Sequence, residues 1–386
     1  MVGTIAEIVV VVLSLAVLVT TVLPFWRTHL WWVRVCDFPR LQIAIAAVIL
    51  IVAGWYVLDG TLRLVLLFAV AAALAYQVVR IFPFTPLART EMGLADGVRD
   101  EGGAVSIMAS NVLMENDRYD LVRDAIEKAD PDVLLLMETN AVWADELAPV
   151  LERYETVERA VQENYYGMIF ATRLEVEEVA MAYLTPDETP TAFAEMRDRI
   201  GRPFRFVGLH PRPPIPGDDT DDRDAEMLYS ALFARKSGMP VVVAGDFNDA
   251  AWSHTSRRFK RVGGFLDPRV GRGMIPSFDA NSYWMRAPID QFYATEDVAV
   301  LDFGLGPNVG SDHFPVVTTV SFDEALAKQL NVSAEKVDEV EMEDLHEIAN
   351  RHAEKLKLKR VGEDEVSIDD ADGAAEGSKE TADVPS

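Results

Sequence analysis

Val241-Val242-Val243-Ala244-Gly245-Asp246-Phe247-Asn248-Asp249 is the stretch on which the reading of this chain turns. Its β-branched run predicts a buried strand, because such side chains fit a pleated surface covered on both faces. Gly245 ends the run and lets the backbone turn, delivering Asp246 and Asn248 together. A carboxylate and an amide two residues apart at the mouth of a strand suit a metal, a water or a phosphoryl oxygen. The same residues also fit a plain strand ending in a polar turn, so the surrounding sequence has to decide.

Polar residues recur at the ends of apolar runs on both sides of this stretch. A strand predicted over 104–109 ends at Ser110-Asn111, and a helix is predicted over 119–129. Asp130-Pro131-Asp132 breaks that helix, and Val133-Leu134-Leu135-Leu136-Met137 forms a buried strand with Glu138 behind it, either a helix cap or a site carboxylate. Residues 166–170 and 204–209 read as further strands, the second closed by His210 before Pro211-Arg212-Pro213-Pro214. The acidic run 218–224 reads as a solvated loop and helix start, and the helix predicted over 225–235 leads into Val241. Ala251-Trp252-Ser253 opens a helix that carries Arg257, Arg258, Lys260 and Arg261, a dense basic cluster read as a solvated face ahead of a phosphate-binding patch. Asp290 stands at the start of another strand. Gly310-Ser311-Asp312-His313 precedes the apolar strand 316–320, and its adjacent Asp and His form a compact acid, base and ligand set.

The first quarter of the chain is of another kind. Three apolar stretches, 8–26, 41–58 and 64–84, are each close to the roughly 20 residues a spanning helix needs and carry at most one charge, near the end of the last. They predict three transmembrane helices, the second and third joined by Asp59-Gly60-Thr61 as a hairpin, and hence a multi-pass protein of the inner (cell) membrane with a lipid bilayer as partner. Arg27, Arg34, Arg40, Arg80 and Arg89 fall on one side of the spans and Arg63 on the other, so the positive-inside rule places the catalytic domain in the cytoplasm. Cys36, the one cysteine, has no partner for an intramolecular disulfide.

Charge narrows the function. Residues 1–99 carry a net +2, residues 100–320 a net −17 and residues 321–386 a net −11. An acidic soluble part repels a polyanion, so nucleic acid is a less favoured substrate than a phosphorylated small molecule or lipid.

Taken together, Asn111, Glu138, His210, Gly245-Asp246-Phe247-Asn248, Asp290 and Ser311-Asp312-His313 resemble the endonuclease/exonuclease/phosphatase family, here as a membrane-anchored member of bacterial type. The resemblance covers roughly residues 104–320. It implies a four-layer α/β sandwich, two packed mixed sheets flanked by helices, with the site at one end of the sheets. It further implies Mg²⁺, with Mn²⁺ as an alternative, held by Glu138, Asn111 and Asp312. Asp246 would activate the attacking water, Asn248 hold a phosphoryl oxygen, and His210 and His313, the latter aligned by Asp290, donate to the developing charge. Trp252 and Tyr166 are candidates for lining the substrate pocket. Leu113 departs from the pattern, since abasic-site endonucleases place an Asp there, and this argues against the closest nuclease subgroup.

The expected organisation is therefore three transmembrane helices (1–84), a linker (85–103), a catalytic domain (104–320), a helical C-terminal extension (321–360) with Val337, Val340, Leu345 and Ile348 on one stripe, and an acidic disordered tail (361–386). The expected function is a membrane-anchored, metal-dependent phosphoesterase that hydrolyses a phosphomonoester or phosphodiester by in-line attack of water. A nuclease of the same fold, and a catalytically silent domain binding a phosphorylated ligand or a protein, are the alternatives.

Overall fold

The computed structural model describes residues 2–26, 28–95, 102–184, 189–217, 219–236, 238–337 and 359–360. Three long helices come first, α1 (Val2–Val22), α3 (Arg40–Val57) and α4 (Gly60–Ile81), with the short α2 (Trp31–Arg34) between the first two. Each long helix is apolar and long enough to cross a membrane. Their outward side chains stay exposed in the protein alone, as with Phe68 at 78% and Val79 at 69%. A surface apolar all round is what lipid covers. One internal seam is closed by small and branched residues, including Val17, Ala47, Val70 and Ala73.

The remaining elements build a sandwich. In chain order they are β1 (Val105–Asn111), α5 (Tyr119–Ala129), β2 (Val133–Met137), α6 (Ala141–Leu151), β3 (Thr156–Ala160), β4 (Met168–Thr172), β5 (Glu175–Tyr183), β6 (Pro190–Arg197) and β7 (Pro203–Leu209). There follow α7 (Asp221–Lys236), β8 (Val241–Asp246), α8 (His254–Gly263), β9 (Phe265–Leu266), β10 (Asp290–Thr295), β11 (Ala299–Leu305), β12 (Val316–Ser321), α9 (Glu324–Leu330) and β13 (Lys359–Arg360). One sheet has the order β11-β12-β1-β2-β4-β3 and the other β13-β5-β6-β7-β8-β10-β9. Among the described residues each contains one parallel strand pair, β1 with β2 and β7 with β8, in otherwise antiparallel company.

The period-two alternation of the strands makes the layers. Ile107, Ala109, Leu135 and Met137 of one sheet meet Phe204, Phe206, Val242 and Ala244 of the other in the central core. Met108, Leu134 and Leu136 point the opposite way onto α5 and α6, while Val207, Leu209, Val241 and Val243 point onto α7 and α8. Strands covered on both faces show near-continuous apolar runs, which is why these segments were legible as buried. The result is the expected four-layer α/β sandwich.

Several segments depart from the sequence reading. The expected linker packs against the sandwich: Met92 is fully buried, and Gly93 N donates to Leu330 O at 2.8 Å. The acidic run is not simply solvated, because Asp224 is drawn in between Arg34 and Arg223. The C-terminal stripe beyond Val337 and the acidic tail lie outside the described residues.

Candidate active site

Strand pairing alone assembles most of the site. The parallel register of β1 and β2 sets Asn111 opposite Met137, so Glu138 emerges beside Asn111. The parallel register of β7 and β8 sets Leu209 opposite Gly245, which brings His210 beside Asp246. Asp290 pairs directly with Asp246 across the antiparallel β8 and β10. His313, just ahead of β12, completes the same edge of the two sheets. The motif glycine has a steric reason: Gly245 has φ +148°, and a Cβ there would stand 1.9 Å from the Leu209 carbonyl oxygen. Glu138 (φ 62°), Asn248 (φ 48°) and Leu113 (φ 60°) all occupy the left-handed region. Such conformations cost on the order of 1–3 kcal/mol each and cluster where a fold holds side chains for chemistry.

One amide ties two carboxylates together. Asn111 Nδ2 donates to Glu138 Oε1 at 2.7 Å and to Asp246 Oδ2 at 3.1 Å, while Asn111 Oδ1 accepts from Leu113 N at 3.0 Å. Glu138 Oε2 accepts from Met114 N at 3.2 Å. Burial pushes the Glu138 carboxyl up to about 7, against the pull of these hydrogen bonds and with the Asp246 charge adding to it. Glu138 thus has its partners at the site; the following helix is capped by Asn140, whose side chain accepts from Trp143 N.

The second half of the site is a histidine pair around Asp246. His313 Nδ1 lies 2.7 Å from Asp290 Oδ2, its Nε2 lies 3.6 Å from Asp246 Oδ2, and Asp312 Oδ1 is 3.9 Å away. Burial disfavours the His313 imidazolium, but the Asp290 and Asp246 carboxylates outweigh it and push the group up to about 10. His210 behaves in the opposite way. Its Nε2 is 3.8 Å from Asp246 Oδ2, yet complete burial holds it down at about 4 and therefore neutral near pH 7. Asp246 Oδ1 accepts from Asn248 N at 2.9 Å, and Asn248 Nδ2 gives one N–H to the Pro211 carbonyl at 3.0 Å.

Of the residues expected at the site, Asn111, Glu138, His210, Asp246, Asn248, Asp290, Asp312 and His313 are brought together. Tyr166 sits at its edge, its ring 5.7 Å from that of His210 and its face under the Arg212 guanidinium. Trp252 is not part of it. It is buried to 1% and packs edge-on against Phe84, with its indole N–H donating to the Asp37 carbonyl at 2.7 Å, so it joins the N-terminal helical region to the sandwich. The helix expected to open at Ala251 begins at His254, after the Ser253 cap. Two participants had no signal in the sequence: Ser277, whose Oγ accepts from Asp290 N at 3.1 Å, and Phe278, whose ring lies 4.9 Å from His313. Both reach the site from an irregular loop.

An α/β sandwich with carboxylates, an amide and a histidine–aspartate pair converging at one sheet edge defines the class. The model of the endonuclease/exonuclease/phosphatase family matches residues 108–313, more than half of the chain, and the chain belongs to that family. Solved structures similar to it include D. rerio TDP2 complexed with single-strand DNA product, at 15% identity over 56% of this chain and 99% of that one, with a TM-score of 0.49. A second is the Bacteroides thetaiotaomicron mannosyl-6-phosphatase, at 17% identity over 56% of this chain and 100% of that one, with a TM-score of 0.46. No curated protein matches the chain.

Proposed function

We propose that this chain is a membrane-anchored, divalent-metal-dependent phosphoesterase whose substrate lies at or near a bilayer. The observation that carries the hydrolytic reading is the meeting of the Asn111-bridged carboxylates with the Asp290–His313 pair at a single sheet edge. The donor set fits a hard cation. Glu138, Asp246, Asp290 and Asp312 place four carboxylates around two imidazoles, and Asp290 Oδ1 is a buried oxygen with no hydrogen-bond partner among the described residues. Asp246, Asp290 and His313 also lie close enough together to share an ion. Because Asp290 Oδ2 and His313 Nδ1 are committed to each other at 2.7 Å, we assign the ion to Glu138, with Asn111 and Asp312 at its border and Asp290 contributing no more than its Oδ1. Bound there, Mg²⁺ or Mn²⁺ would polarise the phosphoryl group and neutralise developing charge.

The chain's own groups supply the rest. Asp246, fixed by the Asn111 amide and the Asn248 backbone, accepts the proton of the attacking water. His313 is protonated at neutral pH and donates from Nε2 to a phosphoryl oxygen, while Asp290 fixes its tautomer through Nδ1. His210, being neutral, offers one N–H without adding a charge. The second amide N–H of Asn248 holds another phosphoryl oxygen. Net charge over the soluble part disfavours a nucleic-acid substrate.

Bilayer proximity is supported by a loop beside the site. Tyr283, Trp284 and Met285 are 91%, 76% and 58% exposed, and the Trp284 carbonyl accepts from Gln42 in the first turn of α3. In the same loop segment Ala280 N donates to the Asp312 carbonyl at 2.7 Å. Exposed aromatics next to a spanning helix suit the bilayer interface. The test is hydrolysis of phosphomonoester and phosphodiester reporters by the full-length chain in detergent, with Mg²⁺, with chelator, and as His313→Ala. Turnover that needs both metal and His313 supports the reading; a folded chain with no turnover above the variant refutes it.

A further inference from the structure

Away from the catalytic edge, a cavity of about 870 Å³ opens where the membrane helices meet α7 and α8. None of the site residues described above lines it. Its wall holds six arginines, Arg34, Arg40, Arg80, Arg257, Arg258 and Arg261, against two carboxylates, Asp37 and Asp224. Both acids are already engaged, Asp37 with Arg40 and Asp224 with Arg34 and Arg223. Arg40 is only 1% exposed, and its Nε–H has no acceptor among the described residues; the Nε–H groups of Arg34 and Arg80 are likewise buried without one among them. In a chain with a net charge of −26, a wall lined by this many guanidinium groups runs against the composition. An anion with several oxygens is what such donors take.

The position of the cavity decides where that anion comes from. Phe25 and Trp26 line it at the end of the first span and are 59% and 58% exposed, and the ring of Tyr76 in the last turns of α4 lies tilted against Phe25 at 4.7 Å. Aromatic rings at a helix end mark the headgroup level of a bilayer, and basic pockets between helices at that level hold lipid phosphates. We propose that this cavity is a binding site for the phosphate headgroup of an anionic phospholipid, separate from the catalytic site. The proposal rests on the membrane-anchor reading. It gives Arg257, Arg258 and Arg261 of α8, read from the sequence as part of a solvated face, a ligand, while Lys260 of the same cluster pairs with Glu91.

The experiment uses the full-length chain purified in neutral detergent, with lipid retention read by native mass spectrometry. Phosphatidylglycerol and phosphatidylcholine are the probes, and inorganic phosphate is the competitor. Arg257→Gln together with Arg258→Gln removes two charges from the sandwich side of the wall, and the exposed Arg118→Gln serves as control. Phosphatidylglycerol should be retained in preference to phosphatidylcholine. The double variant should lose roughly 30-fold of that affinity at about one charge's worth of attraction per arginine, with the control unchanged. Equal retention of the two lipids, or undiminished retention of phosphatidylglycerol by the double variant, overturns the proposal. So does displacement of the lipid by inorganic phosphate, which would make free phosphate the occupant. Alkaline carbonate extraction separates the two levels: a chain that leaves the membrane refutes the anchor itself, whereas one that stays but shows no lipid preference refutes only the headgroup site.

Discussion

Asp290→Asn isolates what the carboxylate does for His313. The change keeps the size of the side chain but removes the charge 2.7 Å from Nδ1, leaving an amide to face the ring. A hydrogen bond to a charged group contributes about 1.5–3 kcal/mol. If that contribution is realised in the transition state, its loss converts to roughly a 10- to 160-fold fall in kcat. The pH profile adds a second, independent readout. In the wild type His313 keeps its proton up to about 10, because Asp290 and Asp246 overcome the effect of burial. Activity that requires the imidazolium is therefore present below that value and declines as the pH rises through it. In the variant the alkaline limb should move down toward the ordinary histidine value of about 6.5, stopping short of it because Asp246 remains 3.6 Å from Nε2. The same sign holds for folding: the stabilisation from the pair is fully present below the unfolded pKa and is lost as pH rises through the folded one. The assay is the pH dependence of reporter hydrolysis by wild type and variant under saturating Mg²⁺, with thermal unfolding at each pH. A variant with wild-type kcat and an unmoved alkaline limb would refute the dyad.

Glu138→Gln should abolish metal-dependent turnover and weaken Mn²⁺ binding, measured by spin resonance, to the background of a chain without the site. For the wild type, a Glu138 carboxyl at about 7 must lose its proton to bind, so half-activation should need roughly tenfold more Mg²⁺ at about pH 6 than at about pH 8; an unchanged requirement argues against Glu138 as the ligand. Trp252→Ala removes a fully buried indole and its bond to Asp37, a change expected to cost about 3–5 kcal/mol. Trp252→Phe, keeping most of the packing, should cost about 1 kcal/mol, and calorimetry that ranks the two equally would place the indole N–H, not the packing, in control. Tyr283→Ser with Trp284→Ser should lower hydrolysis of a phospholipid in vesicles while leaving turnover of a soluble reporter intact; parallel losses on both substrates would show the loop to be part of the site itself.

The residues of the site were legible because each closes an apolar run. Strands with both faces covered read as continuous β-branched or aliphatic sequence, and a charge at the end of such a run is conspicuous, as with Glu138 and Asp246. The nine-residue strand β5, whose first half carries the exposed Glu175, Glu177 and Glu178 around an irregularity in its pairing, carries no such signal. Contacts that join distant segments were equally silent. Trp252 looked like a pocket aromatic because a tryptophan after a site motif fits a rim as well as a seam, and only the fold places it against Phe84 and Asp37. Residues 82–100 read as a linker from two prolines and several small residues, yet Met92 enters the central core. Asp224 looked solvated because Arg34, which joins the adjacent Arg223 in holding it, lies 190 positions away.

The seam between the spans and the sandwich is stitched at several points: Arg80 to the Trp252 carbonyl, Trp252 to the Asp37 carbonyl, Gly271 N to the Pro83 carbonyl at 2.8 Å, and Thr220 N to the His29 carbonyl at 2.9 Å. A head fastened in this way has no tether on which to swing. Under the proposed anchoring it would present its active site at one height and one tilt above the lipid and would search by sliding with its anchor. For a lipid substrate the reaction then becomes two-dimensional: its rate follows the mole fraction of substrate in the surface, and diluting the vesicles in buffer leaves it unchanged.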